Sequence, residues 1–348
     1  MAEKRAKRIE PLIRREFGIN WLMKEYPPQI YDRNKKIVFE IAWPPGSSSK
    51  GRLVFSRWRA MELPEVFQPE EPVARIIHRE DIFQYEPTPE DARVVEWYLN
   101  FADPHLFCAY AGPLMAQDEL QMAEHPCLAA LREALISQGI EALTEEDGEP
   151  TPVLVIGAER RCAINVKPGA IEGYPQGLYG NNFARAKEDA VRKATRKIDP
   201  PTITNIIAMA APAGGEGEYG YEEIEQIVRT AYTGFAAARL ESIRGRAEAP
   251  EVVVHTGFWG CGAFGGNRTL MTILQVVAAR LARLDRLVYY TVDQKGTEDF
   301  KQAMEIMEKE IMPEIVGTEV KVRKAISIPA LLEKVEALGL EWGVSDGN

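Results

Sequence analysis

The sequence predicts an α/β protein of three layers, in which helices cover both faces of a sheet and an N-terminal accessory region precedes the main domain. Two observations lead to this prediction: strand-like apolar segments alternate with segments of helical spacing, and a glycine-rich loop joins one such pair. Residues 251–255, EVVVH, are β-branched and apolar, which favours a buried strand. Residues 268–283 carry apolar side chains at helical spacing, and residues 287–292 predict a second strand. This part of the chain is therefore expected to run strand, glycine loop, helix, strand.

Residues 1–90 are expected to form the accessory region, and residues 91–348 the main domain. The basic start of the chain, through residue 17, is interpreted as a surface helix. Strands are expected at residues 36–42 and 52–58, and the proline-rich run PEVFQPEEP that follows them is interpreted as a linker.

The main domain is expected to alternate helices with strands, which is the pattern of a layered α/β fold. Helices are predicted at residues 91–98, 117–124, 128–138, 184–196, 222–240, 268–283 and 298–310. Strands are predicted at residues 153–156, 203–209, 251–255, 287–292 and 319–322. A last helix is expected to begin after Ser327, which can cap it, with Pro329 in its first turn.

Composition excludes several classes of function. The net charge of −10 lacks the basic excess of a general nucleic-acid binder, although it leaves room for a local phosphate pocket. No apolar run reaches the length of about 18 residues that a membrane span needs, so no membrane association is expected. The four cysteines show no CxxC pairing, which favours reduced thiols and a cytoplasmic protein without zinc or disulfides. The histidines are dispersed, so no metal is expected; they are His78, His105, His125 and His255.

The glycine-rich segment, residues 255–267, reads HTGFWGCGAFGGN and is the most informative part of the chain. Its glycines at 260, 262, 265 and 266 let the backbone approach a ligand closely and turn N–H groups towards it. The N-terminus of the helix that follows favours negative charge, most often phosphate. The segment therefore predicts an anion-binding loop; a tight turn between strand and helix is the alternative.

The same glycines leave a nicotinamide-dinucleotide oxidoreductase open as an alternative function. Gly260, Gly262 and Gly265 match the GxGxxG fingerprint, although one such match is weak evidence. That fingerprint also expects an acidic residue at the end of the next strand. Asp285 precedes that strand, and Asp293 comes late for the role.

The segment TGFWGCGAFGG resembles the diphosphate loop of the poly(ADP-ribose) glycohydrolases, which have a macrodomain fold. The segment YEEIEQIVRTAYTGF and residues Gly157-Ala158-Glu159-Arg160 also resemble segments of that family. The resemblance implies a macrodomain-like ADP-ribose glycohydrolase domain in residues 91–348. It implies hydrolysis of the ribose–ribose O-glycosidic bonds of poly(ADP-ribose), or of a related ADP-ribosyl modification on proteins, with release of ADP-ribose and without a cofactor.

The sequence Gln117-Asp118-Glu119 resembles the Gln-Glu-Glu signature of the family, which implies that Glu119 is the general acid/base and that Asp118 holds ribose hydroxyls. The residues alone support such chemistry. Adjacent carboxylates at a loop-to-helix junction repel each other, and burial raises the pKa of one, so that it keeps a proton near neutral pH. A glycosidic bond needs such an acid to protonate the leaving oxygen. The alternative is that both carboxylates only favour the first turn of a helix.

The resemblance implies further substrate contacts from three side chains, Gln117, Asn100 and Asp103, and from the glycine loop. The loop residues concerned are Gly260, Cys261, Gly262, Ala263, Phe264, Gly265 and Gly266. The chain departs from the family pattern where Tyr110-Ala111-Gly112 replaces a triple glycine and where Phe258 replaces an asparagine. Because of these departures, a module that binds ADP-ribose with weak or no turnover remains an alternative.

Overall fold

An eight-stranded mixed sheet forms the centre of the computed structural model, which describes residues 9–67, 74–85, 93–311, 314–315, 322–323 and 325–347. The strands within these residues are Ile13–Gly18 (β1), Arg52–Arg57 (β2), Val66–Phe67 (β3), Arg75–Arg79 (β4), Val94–Ala102 (β5), Glu145–Glu146 (β6), Glu149–Pro150 (β7), Val153–Ile164 (β8), Thr195–Ala210 (β9), Glu251–Thr256 (β10), Arg286–Tyr290 (β11), Glu314–Ile315 (β12), Val322–Arg323 (β13) and Ile326–Ser327 (β14). The central sheet has the order β1-β2-β8-β9-β5-β10-β11-β4. Strands β9, β5, β10, β11 and β4 pair in parallel, and β1, β2 and β8 pair in antiparallel fashion.

Ten α-helices accompany the sheet in the described part of the chain, and a π-helical turn at Met307–Ile311 follows the ninth of them. The helices are Ile19–Glu25 (α1), Arg33–Ala42 (α2), Gln117–Glu124 (α3), Pro126–Ser137 (α4), Asn182–Arg185 (α5), Glu188–Ala194 (α6), Tyr221–Ile243 (α7), Arg268–Leu281 (α8), Gln294–Ile306 (α9) and Ile328–Glu336 (α10). None of these helices combines the length and the apolar character needed to cross a membrane.

Two hydrophobic clusters, one on each face of the sheet, hold the three layers together. Strand β5 shows the alternation: Trp97 and Leu99 belong to the cluster with α7, α8, α9 and α10. Tyr98, which points to the other face, belongs to the cluster with α1 to α6. The predicted three-layer α/β/α architecture is therefore confirmed.

Local capping explains where several helices begin. The side chain of Asn267 accepts a hydrogen bond from the Leu270 N–H at 3.1 Å and starts α8 directly after the glycine loop. Asp32 caps α2 in the same way. The predicted start of the last helix is confirmed, because Ser327 caps α10 and a proline lies in its first turn.

Three predicted elements are wrong, because burial or strand pairing outweighs the local pattern. Residues 94–98, predicted as part of a helix, belong to strand β5, which lies between two parallel neighbours and buries both faces. Residues 36–42, predicted as a strand, belong to α2, whose buried positions include Ile37, Val38 and Ala42. Residues 13–17, predicted as helical, belong to β1, which pairs with β2. Most of the strand predicted at 319–322, and part of the predicted linker, lie outside the described residues.

The N-terminal region is part of the central sheet. Strands β1, β2 and β4 all precede residue 90, and each pairs within the eight-stranded sheet. Main-chain hydrogen bonds therefore join strands from before and after residue 90 within one sheet. The division of the chain at residue 90, and a separate accessory role for residues 1–90, stay predictions.

This continuity predicts a stability effect of Phe55, a fully buried residue of β2. Phe55→Ala should lower the free energy of unfolding of the whole protein by about 3–5 kcal/mol, because it leaves a cavity in the core. Arg15→Ala, at an exposed position of β1, is the matched control and should leave the free energy of unfolding almost unchanged. Urea unfolding measures both. A separate early transition in Phe55→Ala, with the main transition unchanged, would contradict a shared core.

Candidate functional site

The candidate site lies at the carboxyl ends of two parallel strands that pair directly. Strands β5 and β10 run side by side, with Tyr98 opposite His255. The segment that leads to α3 follows β5, and the glycine loop follows β10. Crevices beyond the carboxyl ends of parallel strands are the usual ligand sites of open α/β sheets.

Close backbone contacts fix the shape of the glycine loop. Gly260 has a φ of +76°, and a Cβ atom there would lie 2.5 Å from the Cβ of Ala211. A Cβ atom at Gly266 would lie 2.8 Å from the Gly260 carbonyl oxygen, which accepts the Gly266 N–H. The indole of Trp259 is fully buried and donates to the Met209 carbonyl at 2.9 Å, which holds the loop against the end of β9.

The side chains of the loop divide between the core and the surface. Phe264 is half-buried against the hydrophobic core, and Ala263 is exposed. Burial raises the pKa of the Cys261 thiol far above its usual range, so this thiol stays protonated and is a poor nucleophile. Phe258 packs against Tyr289 and under the guanidinium of Arg268, so the residue that departs from the family asparagine belongs to the scaffold.

The acidic pair begins α3 and is buried. Asp118 and Glu119 are 7% and 4% exposed. Asn100, at the end of β5, donates from Nδ2 to Asp118 Oδ1 at 2.8 Å. Glu119 Oε2 accepts the Ala116 N–H at 3.0 Å. The structure thus brings Asn100 and the pair together, while Glu119 also closes the first turn of its helix.

Gln117 fastens the start of α3 to the end of β5. Its Oε1 accepts the Phe101 N–H at 2.8 Å, and its Nε2 donates to the Leu99 carbonyl at 2.9 Å. Asp103 Oδ1 accepts the His105 N–H at 2.8 Å and lies 3.4 Å from His105 Nδ1, so Asp103 stabilises its own loop. Its role as a substrate contact stays a prediction.

Electrostatics favour one proton on the acidic pair. Burial, followed by the charge of Glu119, raises the pKa of Asp118 to about 7, and the hydrogen bond from Asn100 opposes this rise. Asn100 Oδ1 is buried without a hydrogen-bond partner among the described residues. A carboxyl with a pKa near neutrality can exchange a proton under physiological conditions.

A C-terminal segment, residues 343–347, lies on the glycine loop. The Gly343 N–H donates to the Gly265 carbonyl at 2.8 Å, and the Asp346 N–H donates to the Gly262 carbonyl at 3.4 Å. This segment is mostly exposed, so it covers the loop at the surface.

Tyr179 connects this segment with the acidic pair. Asn181 Nδ2 donates to the Gly347 carbonyl at 2.8 Å, which attaches the loop around residue 180 to the C-terminal segment. Desolvation raises the pKa of Tyr179 to about 12, and the charges of Asp346 and Glu119 add to the rise. A hydrogen bond with the Gln117 backbone opposes this rise and places Tyr179 against the start of α3.

A family model described as poly(ADP-ribose) glycohydrolase, macro domain fold, matches residues 154–299. Residues 154–299 are thus similar to the poly(ADP-ribose) glycohydrolase family. The matched segment includes the whole glycine loop and ends within α9, whereas the acidic pair lies before it.

Solved structures of this family and of macrodomains are similar to the chain at low identity. A variant poly(ADP-ribose) glycohydrolase from Thermomonospora curvata has 16% identity and a TM-score of 0.46, and the match covers 78% of this chain and 98% of that one. The poly(ADP-ribose) glycohydrolase from Deinococcus radiodurans, in complex with ADP-ribose, has 12% identity and a TM-score of 0.40, with 84% and 94% covered. A macrodomain from Oceanobacillus iheyensis has 9% identity and a TM-score of 0.36, with 74% and 100% covered.

Two side chains near the candidate site are not evident from the sequence. Nothing in the local pattern around Tyr179 places it near the acidic pair. Lys35 lies in α2 and is fully buried. The sequence does not indicate this burial, because a single lysine in an amphipathic segment is usually exposed. Burial lowers the pKa of Lys35 to about 8, and the charges of Glu119, Asp118 and Asp32 oppose the lowering.

The surroundings of His255 belong to the scaffold of the sheet. In the residues that the structure describes, no group of three or more His, Cys, Asp or Glu side chains could hold a metal ion. His255 contacts the carboxylate of Glu96 through Nε2 and stacks on Tyr98 at 4.2 Å. It thus belongs to a buried cluster between the two strands that carry the site.

The raised pKa of Asp118 predicts a pH-dependent stability. In the unfolded chain this carboxyl ionises near 3.8, and in the folded protein near 7, so stability falls as the pH rises through this window. Asp118→Asn removes the fall and should raise the free energy of unfolding at pH 8, on the order of a few kcal/mol, with no gain at pH 4. Urea unfolding at pH 4, 6 and 8 measures the effect, with the exposed Asp147→Asn as control. A difference between Asp118→Asn and the unmodified protein that is constant with pH would contradict the assignment.

Proposed function

We propose that this protein hydrolyses the ribose–ribose O-glycosidic bonds of poly(ADP-ribose), or a related ADP-ribosyl bond on modified proteins, and releases ADP-ribose. One observation carries the proposal. The glycine loop of the matched family segment and the buried acidic pair outside it follow neighbouring parallel strands, β10 and β5. A sugar diphosphate held by the loop would therefore present its ribose towards the pair.

The glycine loop would hold the diphosphate. Backbone N–H groups between Gly260 and Gly266, together with the N-terminus of α8, supply partial positive charge without a basic side chain. This suits a protein whose net charge is −10, because only a local field has to attract the anion. Phe264, half-buried beside the loop, would pack against the distal ribose.

Glu119 would act as general acid and then as general base. Its carboxyl would protonate the departing ribose 2′-oxygen while a cation-like sugar forms, and the nearby diphosphate would stabilise the positive charge. The ionised Glu119 would then take a proton from the attacking water. Asp118, which receives a hydrogen bond from Asn100, would hold the ribose hydroxyls.

A binding module without turnover is the second candidate, and one observation favours it. Glu119 already accepts the Ala116 N–H, so part of its hydrogen-bonding capacity serves the first turn of α3. In addition, Tyr110-Ala111-Gly112 replaces a more permissive triple glycine of the family pattern.

Glu119→Gln should lower the release of ADP-ribose by about 10²–10⁴-fold, because the amide cannot donate or accept the catalytic proton. It should leave ADP-ribose affinity unchanged, since glutamine still accepts the Ala116 N–H. Glu222→Gln, an exposed position in the first turn of α7, is the matched control. Chromatography of products from poly(ADP-ribosyl)ated protein measures release, and calorimetry measures binding.

The unmodified protein separates the candidate functions in the same assays. ADP-ribose binding without release from polymer or from mono-ADP-ribosylated protein would favour the binding module. Binding of NADH with no preference for ADP-ribose would favour the oxidoreductase. Release of ADP-ribose by the Glu119→Gln variant at the rate of the unmodified protein would disprove the role of Glu119 as general acid.

Ala263→Asp tests the diphosphate-binding role of the loop. Ala263 is exposed, so the added carboxylate should be tolerated and should repel the anion. ADP-ribose affinity should fall about tenfold or more at low salt and partly recover at high salt. Ala263→Asn, with nearly the same shape and no charge, should bind almost normally. Equal losses in both variants would argue against a nearby diphosphate.

A further inference from the structure

Lys35 is a fully buried lysine at the N-terminal end of α2, and such burial is rare unless the charge is compensated. Its Nζ donates to the Tyr110 carbonyl at 3.1 Å, within the segment that replaces the triple glycine of the family pattern. One neutral carbonyl does not compensate an ammonium group that has lost its water. The compensation has to come from nearby negative charge.

The acidic pair is the source of that charge. Helix α2 packs against α3, which begins with Gln117, Asp118 and Glu119. The charges that act on Lys35 are those of Glu119, Asp118 and Asp32. Asp32 Oδ1 is occupied at the start of α2, where it accepts the Asn34 and Lys35 N–H groups at 2.9 Å.

Charges on the other elements packed against α2 are exposed or paired elsewhere. On α6 and β9 the charged side chains are exposed: Glu188, Asp189, Arg192, Lys193, Arg196, Lys197 and Asp199. On β8, Arg160 pairs with Glu124, and Arg161 pairs with Glu159. We therefore assign the buried acidic pair, on the helix α3 that packs against α2, as the counter-charge of the ammonium group.

The segment around Lys35 also holds the loop before α3. Both the Tyr31 and Asp32 N–H groups donate to the Ala111 carbonyl, at 3.3 and 3.2 Å. A Cβ atom at Gly112 would lie 2.7 Å from the Tyr31 hydroxyl, so the two segments are in close contact. Lys35 adds a hydrogen bond at Tyr110, and it is the one that carries charge.

We propose that Lys35 is a positioning residue for the reaction: its ammonium group fixes the Tyr110–Gly112 loop and supplies the positive charge that lets Asp118 and Glu119 carry one negative charge in a buried site. The inference rests on the proposed function and adds to it a residue from the N-terminal region. The lysine acts through the acidic pair and the loop, without contact to substrate.

Lys35→Met tests the proposal, since methionine fills a similar volume without charge or donor. Lys36→Met, on the neighbouring exposed position of the same helix, is the matched control. Carboxyl ¹³C NMR follows the ionisation of Asp118 directly. In Lys35→Met the apparent pKa of Asp118 should rise by about one pH unit or more, because a nearby positive charge is lost. Lys36→Met should leave it unchanged.

Activity gives a second readout of Lys35→Met. Its kcat should fall about tenfold or more while the affinity for ADP-ribose persists, because the loss concerns proton placement and loop geometry. The pH profile of kcat should move to higher pH, and Lys35→Arg should restore it in part. A uniform loss of kcat with no movement of the profile would leave only a structural role and overturn the proposal, as would unchanged ionisation of Asp118.

If Lys35→Met does not fold, the same interaction can be measured from the other side, through the titration of Lys35 itself. In Asp118→Asn, titration of ¹³C-labelled lysine should show Lys35 losing its proton at lower pH, because the interaction is reciprocal. An unchanged Lys35 titration would overturn the proposal. If the unmodified protein releases no ADP-ribose, the proposed function fails, whereas these two titrations still decide the role of Lys35.

Discussion

The direct parallel pairing of β5 and β10 is the constraint on which the candidate site depends. Because the two strands run in parallel and end at the same edge of the sheet, the segments that follow them both start from that edge. One of these segments bears the buried carboxyls, and the other is the glycine loop. About 140 residues of sequence separate the two segments, so only the sheet order brings them together.

Burial of two adjacent carboxyls carries a desolvation penalty, and the surrounding groups offset part of it. Asn100 donates to Asp118, the start of α3 donates to Glu119, and Lys35 supplies positive charge from α2. These interactions reduce the desolvation penalty without removing it, since the pKa of Asp118 remains high. Because the desolvation penalty is only partly offset, the carboxyl of Asp118 keeps a proton close to neutral pH.

Segments on both sides of the matched residues 154–299 contribute to the surroundings of the site. Residues 29–35 hold the loop that precedes α3, and residues 343–347 rest on the glycine loop. The sheet itself contains strands from before residue 90. The three-layer fold is thus completed by segments outside the matched residues 154–299, and those segments contact the glycine loop and the loop before α3 as well as the core.

The sequence by itself determined the features that depend on local chemistry. The glycine loop, the Asn267 cap of α8, the start of α10 at Ser327 and the helix at Gln117 follow from backbone freedom and capping within a few residues. Tertiary structure alone decided that residues 94–102 form a central strand, because burial on both faces removes the alternation that marks a strand in sequence. It also decided that residues 33–42 form a helix and that Lys35, Tyr179 and residues 343–347 lie at the site. Their positions depend on sheet order and long-range packing, which no local pattern encodes.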